Sequence, residues 1–328
     1  MDNSEIDIII PAYNARNHIE KALYSIAIQK RIANFCVYVI NDYSDYDYKE
    51  IINKFSGYYP IKELQIQKNM GPGYARQFGL DNSKGDYVVF IDSDDFFYAP
   101  DSLYKLYNEI NTNKLDVVIS NFYIEKNGDL ILKEDDCVWL HGKIFSRKFL
   151  KKNNIRFNNT RSNEDVGFNL LVMFHKPSIG YLHEVTYFYI ENINSITRAN
   201  SYNYLYECLQ YFAYNTVWAT KIAINKKLDL GYPVYMCFYA LVDMYMYYIL
   251  FSDTRDISKI AYWSIDLKEI YDKYQAQYLD NVVVKNEINR IKNEHISSEI
   301  KLDCYISFDE FLNVIEEKKN DRHNNTSI

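Results

Sequence analysis

The segment Val88-Val89-Phe90-Ile91-Asp92-Ser93-Asp94-Asp95 sets three carboxylates directly after four apolar residues. An apolar run of that length reads as a buried strand, and ligand sites in open α/β sheets lie at the carboxyl ends of strands. Carboxylates crowded at such a point repel one another unless a cation neutralises them. A hard divalent ion, Mg2+ or Mn2+, held through few carboxylates and completed by a diphosphate, answers that need. An isolated D-x-D is more often a solvated acidic turn ahead of a helix, here one near Asp101, so the surrounding sequence has to decide.

The first half of the chain alternates short β-branched runs with helical patterns, the signature of a mainly parallel sheet covered by helices. Strands are expected at residues 6–10, 36–40, 63–67 and 87–91. Asn17 and Glu20 fit a capping box for a helix carrying Ile19, Leu23 and Ile26, and a further helix is expected over 72–82. Residues 116–120 continue the sheet, and Asn127-Gly128-Asp129 reads as a hairpin turn. The α/β region ends near Thr197. Beyond it, 202–227, 233–251, 257–274, 282–293 and 308–318 read as helices, followed by a frayed polar tail, 318–328. The expected division is 1–199 and 200–328, with no internal repeat and no Gly-, Ser- or Pro-rich linker.

Length and composition narrow the classes. The 328 residues suit two domains, and 37 Lys+Arg against 44 Asp+Glu give a net charge of -7, which disfavours general nucleic-acid binding. Five widely spaced cysteines without a C-x-x-C pair argue against a zinc site or a disulfide framework. The acidic start Met1-Asp2-Asn3-Ser4-Glu5 lacks a secretory signal pattern, so a cytoplasmic location is expected. Residues 232–250 are apolar enough to raise the question of a membrane span. Asp243 and the many tyrosines within them favour a helix buried in the protein, leaving room only for peripheral membrane contact. The 33 tyrosines are explained by AT-rich coding as readily as by carbohydrate stacking.

Four further motifs fall at matching points along the expected sheet. They are Pro11-Ala12-Tyr13-Asn14 after the first strand, Asn41-Asp42-Tyr43-Ser44 after the second, Asn69-Met70-Gly71-Pro72-Gly73-Tyr74-Ala75-Arg76 before a helix, and Gly85-Asp86-Tyr87 leading into the D-x-D strand. With Asp92-Ser93-Asp94, this ordered set over residues 5–97 resembles the nucleotide-binding half of family 2 glycosyltransferases, the inverting GT-A family. The resemblance implies a GT-A fold with a helical C-terminal addition. It places Pro11, Tyr13 and Asn14 around the nucleoside, with Tyr13 stacking on the base, and Asp42 on the base N–H. Ser44, Gly71 and Ser93 join the nucleotide site. Asp92 falls on the ribose or sugar and shares the metal with Asp94. Arg76 reaches the nucleotide or holds the D-x-D carboxylates.

Downstream, His141-Gly142-Lys143 resembles a family segment that carries a Trp where this chain has His141, and Asn163-Glu164-Asp165 resembles the Glu-Asp motif at a helix start. That motif implies Asp165 as catalytic base with Glu164 in support; two acids in a first helical turn are otherwise explained by the helix dipole alone. Two departures stand out. Tyr43 replaces the usual glycine, and Ile190 replaces an arginine after Tyr189, so that either Arg198 of Ser195-Ile196-Thr197-Arg198 or the metal must supply the positive charge. His141 and His183 are both left open as additional metal ligands.

The expected donor is a UDP-hexose, UDP-glucose or UDP-galactose, and the expected acceptor is a saccharide carried by a protein, lipid or polymer. A homodimer through the helical region is compatible with the sequence. Gly71-Pro72-Gly73 lacks the third glycine of a dinucleotide fingerprint, and no Walker A or G-x-S-x-G occurs. A sugar nucleotidyltransferase leaves Glu164-Asp165 unexplained. A catalytically silent scaffold leaves the retained acids unexplained.

Overall fold

The computed structural model describes residues 5–32, 34–126, 128–190, 202–250, 257–295 and 306–325. The chain separates into two compact units, 1–199 and 200–328. The first contains β1 (Ile6–Ala12), α1 (Ile19–Ala27), β2 (Phe35–Asn41), α2 (Lys49–Phe55), β3 (Ile61–Gln65), α3 (Pro72–Asn82), β4 (Tyr87–Phe90) and β5 (Phe96–Phe97). These are followed by α4 (Ser102–Asn113), β6 (Val117–Lys126), β7 (Asp129–Lys133), β8 (Lys143–Ser146), α5 (Arg147–Asn153), α6 (Glu164–Phe174) and β9 (Ile179–Ile190).

The nine strands form one sheet in the order β3-β2-β1-β4-β8-β6-β9-β5, with β7 paired to β6. Its first four strands are all parallel, and they carry the nucleotide-type motifs at their carboxyl ends. The remainder is mixed: β8 is antiparallel to β4 and β6, β5 to β9, and only β6 and β9 run parallel. Ile6, Ile8, Ile9 and Ile10 are wholly buried, because helices cover both faces of the parallel half and every residue of a strand there must be apolar or satisfied. Helix α3 lies so close to β1 that a Cβ on Gly79 would come 2.6 Å from the Ile9 side chain.

Local details differ from expectation where side chains found other partners. The N-cap of α1 is His18 without a side-chain cap, and Glu20 pairs with Lys54 at 2.8 Å instead of closing a capping box. Strand β3 begins at Ile61, two residues before the expected start.

The second unit comprises α7 (Tyr202–Asn225), α8 (Gly231–Leu250), α9 (Ile257–Trp263), α10 (Ile265–Tyr278), α11 (Asn281–His295) and α12 (Phe308–Asn325). The expected helix over 257–274 is two, separated at Ser264, whose hydroxyl donates to the Ile260 carbonyl at 2.8 Å. Helix α12 runs to Asn325, well past the point where a frayed tail was expected. By length and composition α8 could cross a membrane, yet 67% of its most apolar window is buried. Phe238, Leu241, Met244 and Tyr245 of α8 form the core of this unit with Phe311 and Ile315 of α12.

Candidate active site

The carboxyl end of β4 delivers Asp92 into a cluster with Asp95 and His141, whose candidate ligand atoms all lie within 4.8 Å of one another. Asp95 is wholly buried, accepting a hydrogen bond from the Tyr187 hydroxyl at 2.6 Å and another from the Ile190 N–H at 2.9 Å. The Tyr187 hydroxyl in turn accepts from the Asp92 N–H at 3.3 Å. Burial, with Asp94 and Asp92 adding repulsion, raises the Asp95 carboxyl well above the ordinary range. His141 stacks on the Tyr187 ring at 4.9 Å, and burial lowers its pKa to about 4. It is therefore a neutral imidazole at physiological pH, able to offer a lone pair. Asp94, expected on the metal with Asp92, is partly buried and is not one of these three. His183 is not one of the three either; its side chain is 70% exposed beside Asp135.

Arg76, carried by α3, joins this cluster to the second acidic motif. Its buried guanidinium contacts Asp92 at 2.5 Å and also Glu164, at the first position of α6. Burial opposes its charge, but Asp92, Glu164 and Asp165 outweigh that and raise its pKa further. Arg76 thus holds carboxylates of both acidic motifs. The Asp92 carboxyl feels burial first, yet Arg76 and His141 keep it below the usual value. Glu164 is committed to Arg76. Its neighbour Asp165 is pushed up to about 7 by burial and by Glu164, with Arg76 partly opposing. A carboxylate poised near neutrality is suited to taking a proton.

The glycines at the start of α3, Gly71 and Gly73, allow this convergence. Gly71 has φ +86°, and its N–H with that of Met70 donates to the two Asp42 oxygens at 2.7 and 2.8 Å. Asp42 thus fixes the turn that starts α3; burial outweighs these bonds and raises its pKa. Each of its oxygens retains further acceptor capacity. A Cβ on Gly73 would stand 2.6 Å from the Asn158 carbonyl and 2.9 Å from the Glu164 Cβ, so α3 and α6 meet at a point with no room for a side chain.

The loops after β1 and β2 are tied together beside Asp42. The Asn14 N–H donates to Ser44 Oγ at 3.0 Å, the Asp45 N–H to Asn14 Oδ1 at 3.2 Å, and the Ala15 N–H to the Tyr48 hydroxyl at 3.0 Å. Asn14 and Ser44 thus build the loops. Tyr13 and Tyr43 leave their rings exposed, and Tyr43 holds φ +64°, the conformation a glycine would supply more easily. Pro11 lies within β1 opposite Ile40, and Ser93 is partly buried in the D-x-D turn. Ser195, Ile196, Thr197 and Arg198 lie outside the described residues.

Sequence reasoning did not single out Asp95 or Tyr187 as site residues. Their signal was weak: Asp95 was the third acid of the run, and Tyr187 differs in no visible way from 32 other tyrosines. Lys143 was also passed over. Its buried ammonium donates to the Trp139 carbonyl, and burial lowers its pKa to about 8. Asp92, Asp95 and His141, two carboxyl groups and a neutral imidazole, form a donor set that could hold a divalent cation.

The profile of "Glycosyl transferase family 2" matches residues 7–163. An uncharacterized glycosyltransferase of Haemophilus influenzae is 32% identical over 199 residues, covering 56% of this chain and 78% of the relative. The poly(ribitol-phosphate) beta-glucosyltransferase of Bacillus spizizenii is 25% identical over 205 residues, 57% of this chain and 32% of that protein. The chain spans only 14% to 32% of the length of five of the curated relatives it matches. Among solved structures, residues 1–349 of TarS from Staphylococcus aureus, in complex with UDP-GlcNAc, superpose with a TM-score of 0.68 at 19% identity, covering 96% of this chain and 92% of that one. That likeness shows the GT-A fold with its helical C-terminal region. With its fold and its ordered motifs, the chain belongs to glycosyl transferase family 2.

Proposed function

We propose that the chain is a metal-dependent, inverting glycosyltransferase that moves a hexose from a UDP-sugar to a hydroxyl of a saccharide acceptor, working in the cytoplasm. The observation that carries this reading is the imbalance at the carboxyl ends of the strands. Asp92, Glu164 and Asp165 face the Arg76 guanidinium, Asp94 and Asp95 adjoin Asp92, and burial raises Asp165 to about 7 and Asp95 well above the ordinary range. The UDP-GlcNAc bound by TarS and the glucosyl transfer in the name of the Bacillus relative support a UDP-sugar of the gluco or galacto series, with or without an N-acetyl group.

In a single displacement the acceptor oxygen attacks the anomeric carbon while the bond to the diphosphate breaks and UDP departs with its electron pair. Asp165 takes the acceptor proton. Arg76 holds Glu164 and Asp92 in place, so that Asp165 is presented on a fixed helix start. Asp42 maintains the turn at Met70 and Gly71 and accepts the base N–H, with Tyr13 stacked on the base. A divalent ion held by Asp92 with Asp95 and His141, or with Asp94, would neutralise charge on the departing diphosphate.

The test is a screen of UDP- and GDP-sugars for Mn2+-dependent thermal stabilisation and sugar release, using wild type, Asp94→Ala, His141→Ala and Asp165→Ala. The expected result is stabilisation by one UDP-sugar plus Mn2+, retained by Asp165→Ala without turnover. Loss of the metal response in Asp94→Ala or in His141→Ala identifies the ligand. No response to any nucleotide sugar, with or without Mn2+, would reduce the reading to fold alone.

A further inference from the structure

Strand β7 is an edge strand of an unusual kind. Among the described residues it pairs only with β6, and all five of its residues are exposed. The central three are apolar, with Leu130, Ile131 and Leu132 at 57%, 41% and 42% exposure. Edge strands are ordinarily protected by a central charge, a proline or a bulge, and β7 has none of these; its charges stand at its two ends, Asp129 and Lys133.

The order Asp-Leu-Ile-Leu-Lys is complementary to its own reverse. In an antiparallel pair of two such strands centred on Ile131, Asp129 faces Lys133 of the other copy, Leu130 faces Leu132, and Ile131 faces its equivalent. Directly opposed side chains lie on the same face of a sheet. One face would therefore carry two ion pairs flanking an isoleucine pair, and the other two leucine pairs. The main chain agrees. Lys126 and Asp129 close the β6–β7 hairpin as a directly opposed pair, and main-chain groups alternate in direction along a strand. The N–H and C=O of Asp129, Ile131 and Lys133 then point to β6, while those of Leu130 and Leu132 point to the open edge. In the pairing centred on Ile131, these two residues are the ones opposed across the twofold axis, so they exchange four hydrogen bonds.

We propose that β7 is a self-association edge that takes β7 of a second copy of this chain, antiparallel and twofold symmetric about Ile131. A twofold arrangement uses up the edge on both partners and closes the assembly at a dimer. Five residues per strand bury less area than a permanent dimer needs, so association is expected in the micromolar range.

The test is sedimentation velocity from about 1 to about 200 µM, a range chosen for a small interface, with thermal unfolding as a control that the variants fold. Wild type is expected to show a concentration-dependent monomer–dimer equilibrium. Asp129→Lys and Lys133→Asp each place like charges opposite one another twice and should weaken it by about tenfold. The double variant Asp129→Lys/Lys133→Asp restores opposite charges and should recover association. An equimolar mixture of the two single variants should associate more strongly than either alone. A wild type that is monomeric throughout, a dimer indifferent to all these changes, or a double variant as weak as the singles would each overturn the proposal.

Discussion

The parallel strands of the first unit have a buried ionic cluster at each end, and the two clusters are built differently. At the amino ends, Arg147 donates to Asp7 and Ser83 at 2.8 Å, to the Leu80 carbonyl at 2.8 Å and to the Gly85 carbonyl, while the Gly85 N–H donates to Asp7 at 2.5 Å. One acid meets one base, and each guanidinium nitrogen has a partner. At the carboxyl ends, Arg76 faces Asp92, Glu164 and Asp165 at once, and its Nε is buried with no hydrogen-bond partner among the described residues. Burial of charge is common to both clusters, so burial does not mark the site. The marker is imbalance: the amino-end cluster is complete as folded, whereas the carboxyl-end cluster holds more negative charge than the protein itself neutralises.

The sharpest way to break this comparison is to remove each arginine. Arg147→Met leaves Asp7 buried and alone, and should cost about 3 to 5 kcal/mol in urea unfolding, with no recovery on adding Mn2+. Arg76→Met should recover part of its loss when Mn2+ is added, since a cation can take over there; equal behaviour of the two variants would erase the distinction. Next in size, Asp165→Asn should lower turnover by about 10²- to 10⁴-fold while its unfolding midpoint stays level or rises, because the folded state disfavours that charge.

A smaller effect is metal linkage. Mn2+ at about 100 times its Kd should stabilise the wild type by about 2.7 kcal/mol, measured by calorimetry, and His141→Ala should abolish the gain if the imidazole is a ligand. The smallest is the pH profile without metal. Asp165 and Asp95 have raised folded-state pKa values, so the folded state holds their protons more tightly and stability should rise as pH falls from about 8 towards 6.5. His141, lowered to about 4 by burial, works in the opposite sense once its unfolded form protonates below about 6.5. From these three groups stability should therefore go on rising as pH falls, less steeply below about 6.5, until the unfolded carboxylates protonate near about 4, and saturating Mn2+ should flatten the alkaline side.

Much of this was legible because the physics was local. The run Val88 to Asp95 announces a strand ending in acids, and Gly71-Pro72-Gly73 announces a helix start; α3 lies over the expected residues, 72–82. Asp165 and Arg76 could be named from ordered motifs. What could not be read depends on contacts between residues far apart in the chain. Glu164 looks available in the sequence but is engaged by Arg76, 88 positions away. Asp95 looks like a third surface acid until β9 brings Tyr187 over it, 92 positions later. The capping box failed for the same reason, since Lys54, from another helix, offered Glu20 a better partner than its own backbone did. Equally, the apolar segment within α8 gains its meaning from the helices packed around it.

The contact at Gly73 ties the turn before α3 to the start of α6. A methyl group there would meet the Asn158 carbonyl and the Glu164 side chain inside van der Waals distance. Two residues earlier, Gly71 is held to Asp42. A displacement of this turn towards a ligand therefore has no soft side chain to absorb it, and acts on the start of α6 as one gear tooth acts on the next. Under the proposed mechanism, donor-side and acceptor-side geometry would be meshed through a residue that has no side chain, and any replacement at position 73 would have to shift Asn158 or Glu164.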